Sequence, residues 1–76
     1  MSVKIYTTTH CPYCVMAKEY FKKNSVAYTE VNVESDEKAA EEMIEKSGQM
    51  GVPVIDINGT IIVGFNRPAI EKALKK

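Results

Sequence analysis

Two strand-like segments on either side of a helix-like segment constrain the fold of this chain more than any other feature. Val3 to Thr7 alternates Val, Ile and Thr with Lys and Tyr, a pattern typical of a β-strand. The sequence predicts a helix from about Pro12 to Asn24, and Val26 to Val33 again alternates with a period of two. A helix between two strands implies a parallel, right-handed β-α-β unit.

The segment after this unit predicts a second helix. Ser35 or Asp36 suits its N-cap, acidic residues follow in the first turn, and Gly48 comes just past its end. The residues expected to face the sheet form one stripe, which consists of Ala40, Met43 and Ile44. We therefore expect this helix to pack on the sheet.

The last third of the chain predicts a hairpin and a third helix. Val54 to Ile57 and Thr60 to Val63 are joined by Asn58-Gly59, a pair that supplies the positive φ angles of a type I′ turn. Asn66 suits the N-cap of the final helix and Pro68 its first turn. The residues predicted to face inward from this helix are Ile70, Ala73 and Leu74. Lys75 and Lys76 suit the negative end of the helix dipole at its C-terminus.

The predicted order of elements is βαβαββα. A four-stranded mixed sheet flanked by three helices, in the α/β class, is the simplest way to cover these strands. At 76 residues the chain is expected to form a single domain over residues 1–76.

The two cysteines lie where the first strand gives way to the first helix. At the start of a helix, the sulfur of Cys11 is near backbone N–H groups without intrahelical partners and near the positive end of the helix dipole. Both favour a thiolate, and such positions lower a cysteine pKa from about 8.5 to roughly 3.5–7.5. Cys14 lies one turn later, close enough to resolve a mixed disulfide on Cys11. The pattern predicts thiol–disulfide exchange.

The residues around this pair support different roles for the two sulfurs. Pro12 suits the first helical position because its missing N–H would have no helical partner, and it stiffens the spacer. Cys14, Ala17 and Phe21 recur at helical spacing, so Cys14 falls on the apolar stripe and Cys11 on the exposed end. Tyr13 is either an amphipathic wall beside the substrate or partly buried packing.

Two further segments are candidates for substrate contacts. Val52-Pro53 opens the third strand, and the bond is either an ordinary trans bond or a cis bond that leaves the Val52 backbone free to pair with an extended substrate. Gly64 allows another backbone to approach closely before the last helix. In one interpretation, the first N–H groups of this helix and Arg67 hold a carboxylate. In the other, Asn66 caps these N–H groups and Arg67 is solvated.

Composition narrows the classes of partner and compartment. The ten basic and ten acidic side chains cancel, so we expect no nucleic-acid partner. No run approaches the roughly 18 apolar residues of a membrane span, and the N-terminus does not resemble a signal region, so we expect no membrane partner and a cytoplasmic location. There a cysteine pair is catalytic or metal-binding more often than structural.

Cys-Pro-Tyr-Cys after a strand, Val52-Pro53 before the third strand and Gly64 before the last helix together resemble the glutaredoxins, which have the thioredoxin fold. The resemblance implies a dithiol–disulfide oxidoreductase that reduces protein disulfides and glutathione mixed disulfides. Cys11 then attacks, Cys14 resolves, and Pro53 is cis. It also implies that glutathione, the reductant, lies against Tyr13, Val52, Pro53, Gly64, Phe65, Asn66 and Arg67. We expect a monomer with no metal and no tightly bound cofactor.

Two departures from the glutaredoxin pattern support an alternative reductant. Thr8 stands where many glutathione-using members have a lysine, and Val63 to Arg67 replaces the usual Gly-Gly and acidic residues. The Gly64-Phe65 pair followed by Arg67-Pro68 is similar to redoxins that are recharged by thioredoxin reductase and serve ribonucleotide reductase. A different class of alternative is a metal or iron–sulfur module that uses Cys11, Cys14 and His10, which would need ligands from outside the chain.

Overall fold

The computed structural model describes residues 2–74 of the chain. Its elements are β1 (Val3–Thr7), α1 (Pro12–Lys23), β2 (Thr29–Asn32), α2 (Glu37–Ser47), β3 (Val54–Ile57), β4 (Thr60–Val63) and α3 (Arg67–Leu74). The predicted order βαβαββα is confirmed. The predicted cations Lys75 and Lys76 lie outside the described residues.

The four strands form one mixed sheet in the order β2-β1-β3-β4. β1 pairs parallel with β2 and antiparallel with β3, and β3 pairs antiparallel with β4. In this register Tyr6 lies opposite Val54, and Val54 lies opposite Val63. One edge of the sheet therefore contains the end of β1, the start of β3 and the end of β4. The segment with the cysteines follows β1 there, Pro53 directly precedes β3, and Gly64 directly follows β4.

Alternate residues of β1 point into two separate core clusters, because successive side chains of a strand lie on opposite faces of a sheet. Ile5 belongs to the first cluster, to which α1 contributes Phe21 and α3 contributes Ile70. Tyr6 belongs to the second cluster, to which α2 contributes Met43. The predicted mixed sheet with helices on both faces is confirmed, with α1 and α3 on one face and α2 on the other.

The predicted start of the second strand at Val26 is wrong by several residues. Ser25 has a φ of 59°, and the N–H of Val26 donates to the carbonyl of Phe21 at 2.8 Å. These contacts bind the chain back to the end of α1, and the side chain of Val26 packs against the first core cluster. Pairing with β1 therefore begins only at Thr29, opposite Lys4.

The predicted inward stripe of α2 is partly wrong. Met43 is buried and Ala40 is half-buried, but Ile44 is 37% exposed, and Ala39 is buried in its place. Ala39 and Met43 are four residues apart and share one face, whereas Ile44 is turned roughly 100° further around the helix. The ends of α2 are as expected: Asp36 Oδ1 accepts from the N–H of Ala39 at 3.1 Å, and Gly48 has a φ of 74°.

The hairpin and the cap of α3 follow the sequence prediction. Asn58 and Gly59 have φ angles of 52° and 93°, as a type I′ turn requires. Asn66 Oδ1 accepts from the N–H of Ala69 at 3.3 Å and so caps α3. Of the predicted inward residues, Ile70 is fully buried, whereas Ala73 and Leu74 are half-buried. No helix within residues 2–74 has the length and apolar character needed to cross a membrane.

An ion pair between α2 and β3 predicts a pH-dependent contribution to stability. Lys46 Nζ lies 2.8 Å from Asp56 Oδ2 and 3.1 Å from the buried Tyr6 hydroxyl, and Asp56 Oδ1 accepts from the N–H of Gly59. Burial raises the pKa of Asp56, but Lys46 and the Gly59 N–H outweigh it and hold that pKa below its usual value. Asp56 therefore stabilises the fold above its usual pKa, and this stabilisation is lost as pH falls through the lower, folded value.

We expect Asp56→Asn to lower the free energy of unfolding at pH 7 by about 1 kcal/mol, since Lys46 is partly exposed and its charge is partly screened. The asparagine oxygen can still accept from Gly59, so the change isolates the charge. Urea unfolding of both proteins at pH 7 and at about pH 2.5 measures the effect. The difference should shrink at the lower pH; a difference of the same size at both would contradict the role of the carboxylate charge.

Candidate active site

Cys11 and Cys14 form a disulfide at the junction of β1 and α1, with their Cα atoms 5.2 Å apart. Cys11 is the N-cap of α1, in an extended conformation, and its Sγ accepts from the N–H of Cys14 at 3.1 Å. A backbone N–H that points at a sulfur stabilises negative charge on it when the disulfide is reduced. Cys11 is partly exposed, whereas Cys14 is 1% exposed. The predicted difference in accessibility between the two sulfurs is present in the structure.

A polar network fixes α1 to the sheet one turn beyond Cys14. The buried Thr7 donates its hydroxyl hydrogen to Glu30 Oε2 at 2.9 Å, and Lys18 Nζ lies 2.9 Å from the same oxygen. Hydrogen bonds from Lys18 and then Thr7 hold the pKa of Glu30 below its usual value. The network therefore ties α1 to β1 and β2 one turn beyond Cys14. Sequence reasoning missed these three residues, which share no local motif.

The Val52-Pro53 segment lies at the same sheet edge, because it precedes the residue of β3 that pairs with Tyr6. The peptide bond is cis, which confirms the expectation drawn from the resemblance. Pro53 is buried, and its carbonyl accepts from the N–H of Gly64 at 2.8 Å. Within residues 2–74, neither the N–H nor the carbonyl of Val52 has a hydrogen-bond partner. Both groups of Val52 are thus available to a second extended backbone.

The segment from Gly64 to Arg67 is held against α1 and α3. Gly64 has a φ of 81°, a conformation that other residues rarely adopt, and Phe65 packs edge-on to the Tyr20 ring. The Arg67 guanidinium lies 5.2 Å from the centre of the Tyr20 ring and 3.7 Å from Glu71. Asn66 caps α3 and the Arg67 side chain is 61% exposed, as the simpler interpretation predicts, although the guanidinium also lies near Tyr20 and Glu71.

Tyr13 and Pro12 are on the outer surface of the first turn of α1. Tyr13 is 61% exposed, which fits a wall beside a substrate better than partly buried packing. Pro12 occupies the first helical position, as predicted. Among residues 2–74, no group of three His, Cys, Asp or Glu side chains lies close enough together to hold a metal ion.

Comparison with known proteins connects this geometry to a family. Residues 3–62 match the family model described as Glutaredoxin. The chain is 50% identical over 74 residues to an uncharacterized glutaredoxin-like 8.6 kDa protein in the rubredoxin operon of Clostridium pasteurianum, which covers 97% of this chain and 99% of that protein. It is 38% identical over 63 residues to glutaredoxin 3 of Escherichia coli K12, which covers 83% of this chain and 76% of that one.

Solved structures give the same result. The thioredoxin-like protein BC3987, in its T8A mutant, superposes with a TM-score of 0.91 at 30% identity, over 97% of this chain and 100% of that one. The glutaredoxin-like NrdH-redoxin of Escherichia coli superposes with a TM-score of 0.85 at 25% identity, over 95% and 93% of the two chains. With its Cys11–Cys14 pair on this fold, the chain belongs to the glutaredoxin family of thiol–disulfide oxidoreductases.

Proposed function

We propose that this protein reduces protein disulfides and glutathione mixed disulfides, with Cys11 as the attacking thiolate and Cys14 as the resolving thiol. The observation that carries the proposal is the unequal setting of the two sulfurs. Cys11 Sγ is accessible and accepts a backbone N–H at the helix start, whereas Cys14 is buried one turn further on. Only the first sulfur can meet a disulfide in another molecule without a rearrangement of α1.

The exchange proceeds in two balanced steps. The Cys11 thiolate attacks one sulfur of the substrate disulfide, which forms a mixed disulfide and expels the other substrate sulfur as a thiolate that takes up a proton. Cys14 then loses its proton and attacks the Cys11 sulfur, which releases the second substrate thiol. The substrate gains two electrons and two protons, and the protein is left with the Cys11–Cys14 disulfide seen in the structure.

We propose that an extended substrate segment pairs with Val52 while its disulfide meets Cys11. The unpartnered N–H and carbonyl of Val52 provide the hydrogen bonds of strand addition. The exposed Tyr13 ring and the Gly64–Phe65 backbone would border the same segment. We expect the reaction to take place in the cytoplasm, where cellular reductants keep thiols reduced.

The source of electrons separates two versions of this function. In the first, glutathione reduces the Cys11–Cys14 disulfide, and Asn66 and Arg67 lie against the tripeptide. In the second, thioredoxin reductase recharges the protein, which passes electrons to ribonucleotide reductase. The second is favoured by the uncharged Thr8 and by Glu71, whose carboxylate lies 3.7 Å from the exposed Arg67 guanidinium and competes with a glutathione carboxylate for that cation. The NrdH-redoxin of Escherichia coli, which is similar to this chain in fold, is described as having a thioredoxin-like activity profile.

Parallel assays of NADPH consumption distinguish the two versions. The purified protein and a small mixed disulfide are incubated with glutathione plus glutathione reductase, or with thioredoxin reductase alone. Turnover in the first assay supports glutathione as the reductant, and turnover in the second alone supports the flavoenzyme. The absence of turnover in both, with a protein whose thiols are intact, would contradict the proposed activity.

Arg67→Ala tests the contribution of this cation to the choice of reductant. Because the guanidinium is 61% exposed, so that solvent screens its charge, and Glu71 lies 3.7 Å away, we expect the KM for glutathione to rise by no more than about 3-fold, the effect of weakening a surface charge contact. Steady-state kinetics in the glutathione assay measure the change, with Lys72→Ala, an exposed cation on the same helix, as the control. A rise of about 10-fold or more would show that Arg67 holds a glutathione carboxylate directly.

A further inference from the structure

The loop between β1 and Cys11 is restrained at one residue. It consists of Thr8, Thr9 and His10. The N–H of Thr9 donates to Glu34 Oε1 at 2.9 Å, and the Thr9 hydroxyl accepts from Asn32 Nδ2 at 3.3 Å. Within the described part of the chain, Thr8 and His10 form no hydrogen bond. Cys11 lies two residues beyond Thr9, so the contacts of Thr9 with Asn32, at the end of β2, and with Glu34, in the following turn, restrain the segment that leads to Cys11.

Glu34 is itself held in place by the turn that follows β2. Its N–H donates to Asn32 Oδ1 at 2.8 Å, and the Ser35 hydroxyl donates to the Asn32 carbonyl at 3.3 Å. One residue earlier, the N–H of Val33 donates to the carbonyl of Thr7 at 2.8 Å. The backbone that bears the Glu34 carboxylate is thus fixed to the sheet on the side facing the cysteine loop.

The charge of Glu34 suits this contact. Hydrogen bonding by Thr9 lowers the pKa of Glu34, with a smaller contribution from the charge of His10. The carboxylate is therefore ionised at neutral pH, and a charged acceptor forms a stronger hydrogen bond with an N–H than a neutral one does.

We propose that Glu34 is a positioning residue for the attacking thiol: by holding Thr9, it keeps Cys11 at the N-cap of α1, where the sulfur meets the N–H of Cys14. This inference rests on the proposed role of Cys11. The chain of contacts runs from Glu34 to Thr9, and from there through His10 to Cys11 Sγ. Looser attachment of Thr9 lets the sulfur leave that N–H, and the thiolate loses a stabilising contact.

A direct electrostatic effect of Glu34 on the sulfur would have the opposite sign. Removing a nearby negative charge stabilises a thiolate and increases its population at low pH. Removing the attachment of Thr9 destabilises the thiolate and decreases that population. The direction of the change, rather than its presence, therefore separates positioning from simple charge repulsion.

The experiment measures the rate of Cys11 alkylation by iodoacetamide between about pH 4 and pH 9 in a Cys14→Ser background, where Cys11 is the only cysteine. Three variants are compared with this parent: Glu34→Ala, Glu34→Gln and, as a control with the same loss of charge, Glu45→Ala. Glu45 is exposed on α2 and forms no ion pair within residues 2–74. Thermal unfolding of each variant accompanies the rates.

We expect Glu34→Ala to slow alkylation about 5-fold at pH 6 and to move the midpoint of the pH profile upward, an effect of the size that weakening a capping hydrogen bond produces. Glu34→Gln, whose amide oxygen can still accept from Thr9, should recover most of the rate, and Glu45→Ala should match the parent. A change in the unfolding temperature without a change in the profile would contradict positioning. So would faster alkylation in both Glu34 variants, or a Gln variant as slow as the Ala variant.

A companion protein with Cys11→Ser tests the basis of the inference. In this protein Cys14 is the only cysteine, and it should react far more slowly at pH 6 because it is 1% exposed. Faster alkylation of Cys14 than of Cys11 would overturn the proposed function. Equal rates in Glu34→Ala and its parent would overturn the positioning role alone.

Discussion

Replacing Cys11 with serine should lower the rate of disulfide reduction by roughly three orders of magnitude or more, the usual cost of removing a nucleophile. A serine hydroxyl is not ionised at neutral pH and cannot form a disulfide. Cys14 cannot take over the attack because it is 1% exposed and faces the interior. Serine still suits an N-cap, so α1 should remain intact and the loss should be one of chemistry.

Cys14→Ser is the matched variant because it removes the other sulfur of the same pair. The Cys11 thiolate can still attack a glutathione mixed disulfide and release the reduced substrate, with glutathione left on Cys11. This variant should therefore retain one exchange per molecule with such a substrate but fail to complete the reduction of a protein disulfide.

A single-turnover assay with prereduced protein measures both variants and needs no recharging system. The wild-type protein, Cys11→Ser and Cys14→Ser are each mixed with a glutathionylated peptide, and the released peptide thiol is followed over time. Of the two variants, we expect only Cys14→Ser to release the peptide thiol. Rapid release by Cys11→Ser would show that Cys14 is the attacking sulfur, and it would reverse the assigned roles.

The elements with complete local signals were predictable from the sequence. Asn58-Gly59 specifies its own turn, because both residues must adopt positive φ angles, and both do. Asp36 and Gly48 mark the ends of α2 by capping chemistry that needs only a few neighbouring residues. These signals, with the period-two strands, were sufficient for the order of elements and the layers of the fold.

The errors in the fold prediction occur where another signal overrides the local periodicity. Val26 continues the alternation of the second strand, but Ser25 has a positive φ and the N–H of Val26 is taken by the carbonyl of Phe21, which closes the end of α1 in a hydrogen-bonded motif of six residues. Ile44 is as apolar as Met43, yet Ala39 is buried and Ile44 is 37% exposed. Which face of α2 meets the sheet depends on tertiary packing, which a short window of sequence does not encode.

The same distinction applies to the active site. The cysteine pair was predictable because its chemistry depends on residues three apart at a helix start. Arg67 and Glu71 have the i, i+4 spacing of a helical ion pair, a signal that was available, but the Tyr20 ring comes from another helix. Glu34 contacts Thr9 across 25 positions of sequence, and no motif relates the two.

The second large effect is expected from Phe21→Ala. Phe21 is fully buried where α1 meets the sheet. The centre of its ring lies 5.9 Å from the centre of the Tyr28 ring and 5.8 Å from that of the Tyr20 ring. Truncating such a side chain costs about 3–5 kcal/mol through lost burial and the cavity that remains. A domain of this size has a total stability of roughly 4–11 kcal/mol, so much of the protein's stability would be lost.

Urea unfolding of the oxidised protein, followed by circular dichroism, measures this loss. Phe21→Leu keeps most of the buried volume and should cost no more than about 1.5 kcal/mol. Tyr13→Ala removes an aromatic ring of similar size from the exposed side of the same helix and should change stability by about 0.5 kcal/mol or less. Equal losses in Phe21→Ala and Tyr13→Ala would contradict the assignment of Phe21 to the core.

The Phe21 result also bears on how the disulfide is supported. Both cysteines are on the first turn of α1, and the helix is anchored to the first core cluster by Ala17 and Phe21. If this anchor holds the cysteines in place, Phe21→Ala should slow the alkylation of Cys11 in the Cys14→Ser background, measured without urea at a temperature where circular dichroism shows the variant folded. An unchanged rate there would mean that contacts other than Phe21, such as the Thr7–Glu30–Lys18 network, hold the first turn of α1 on the sheet.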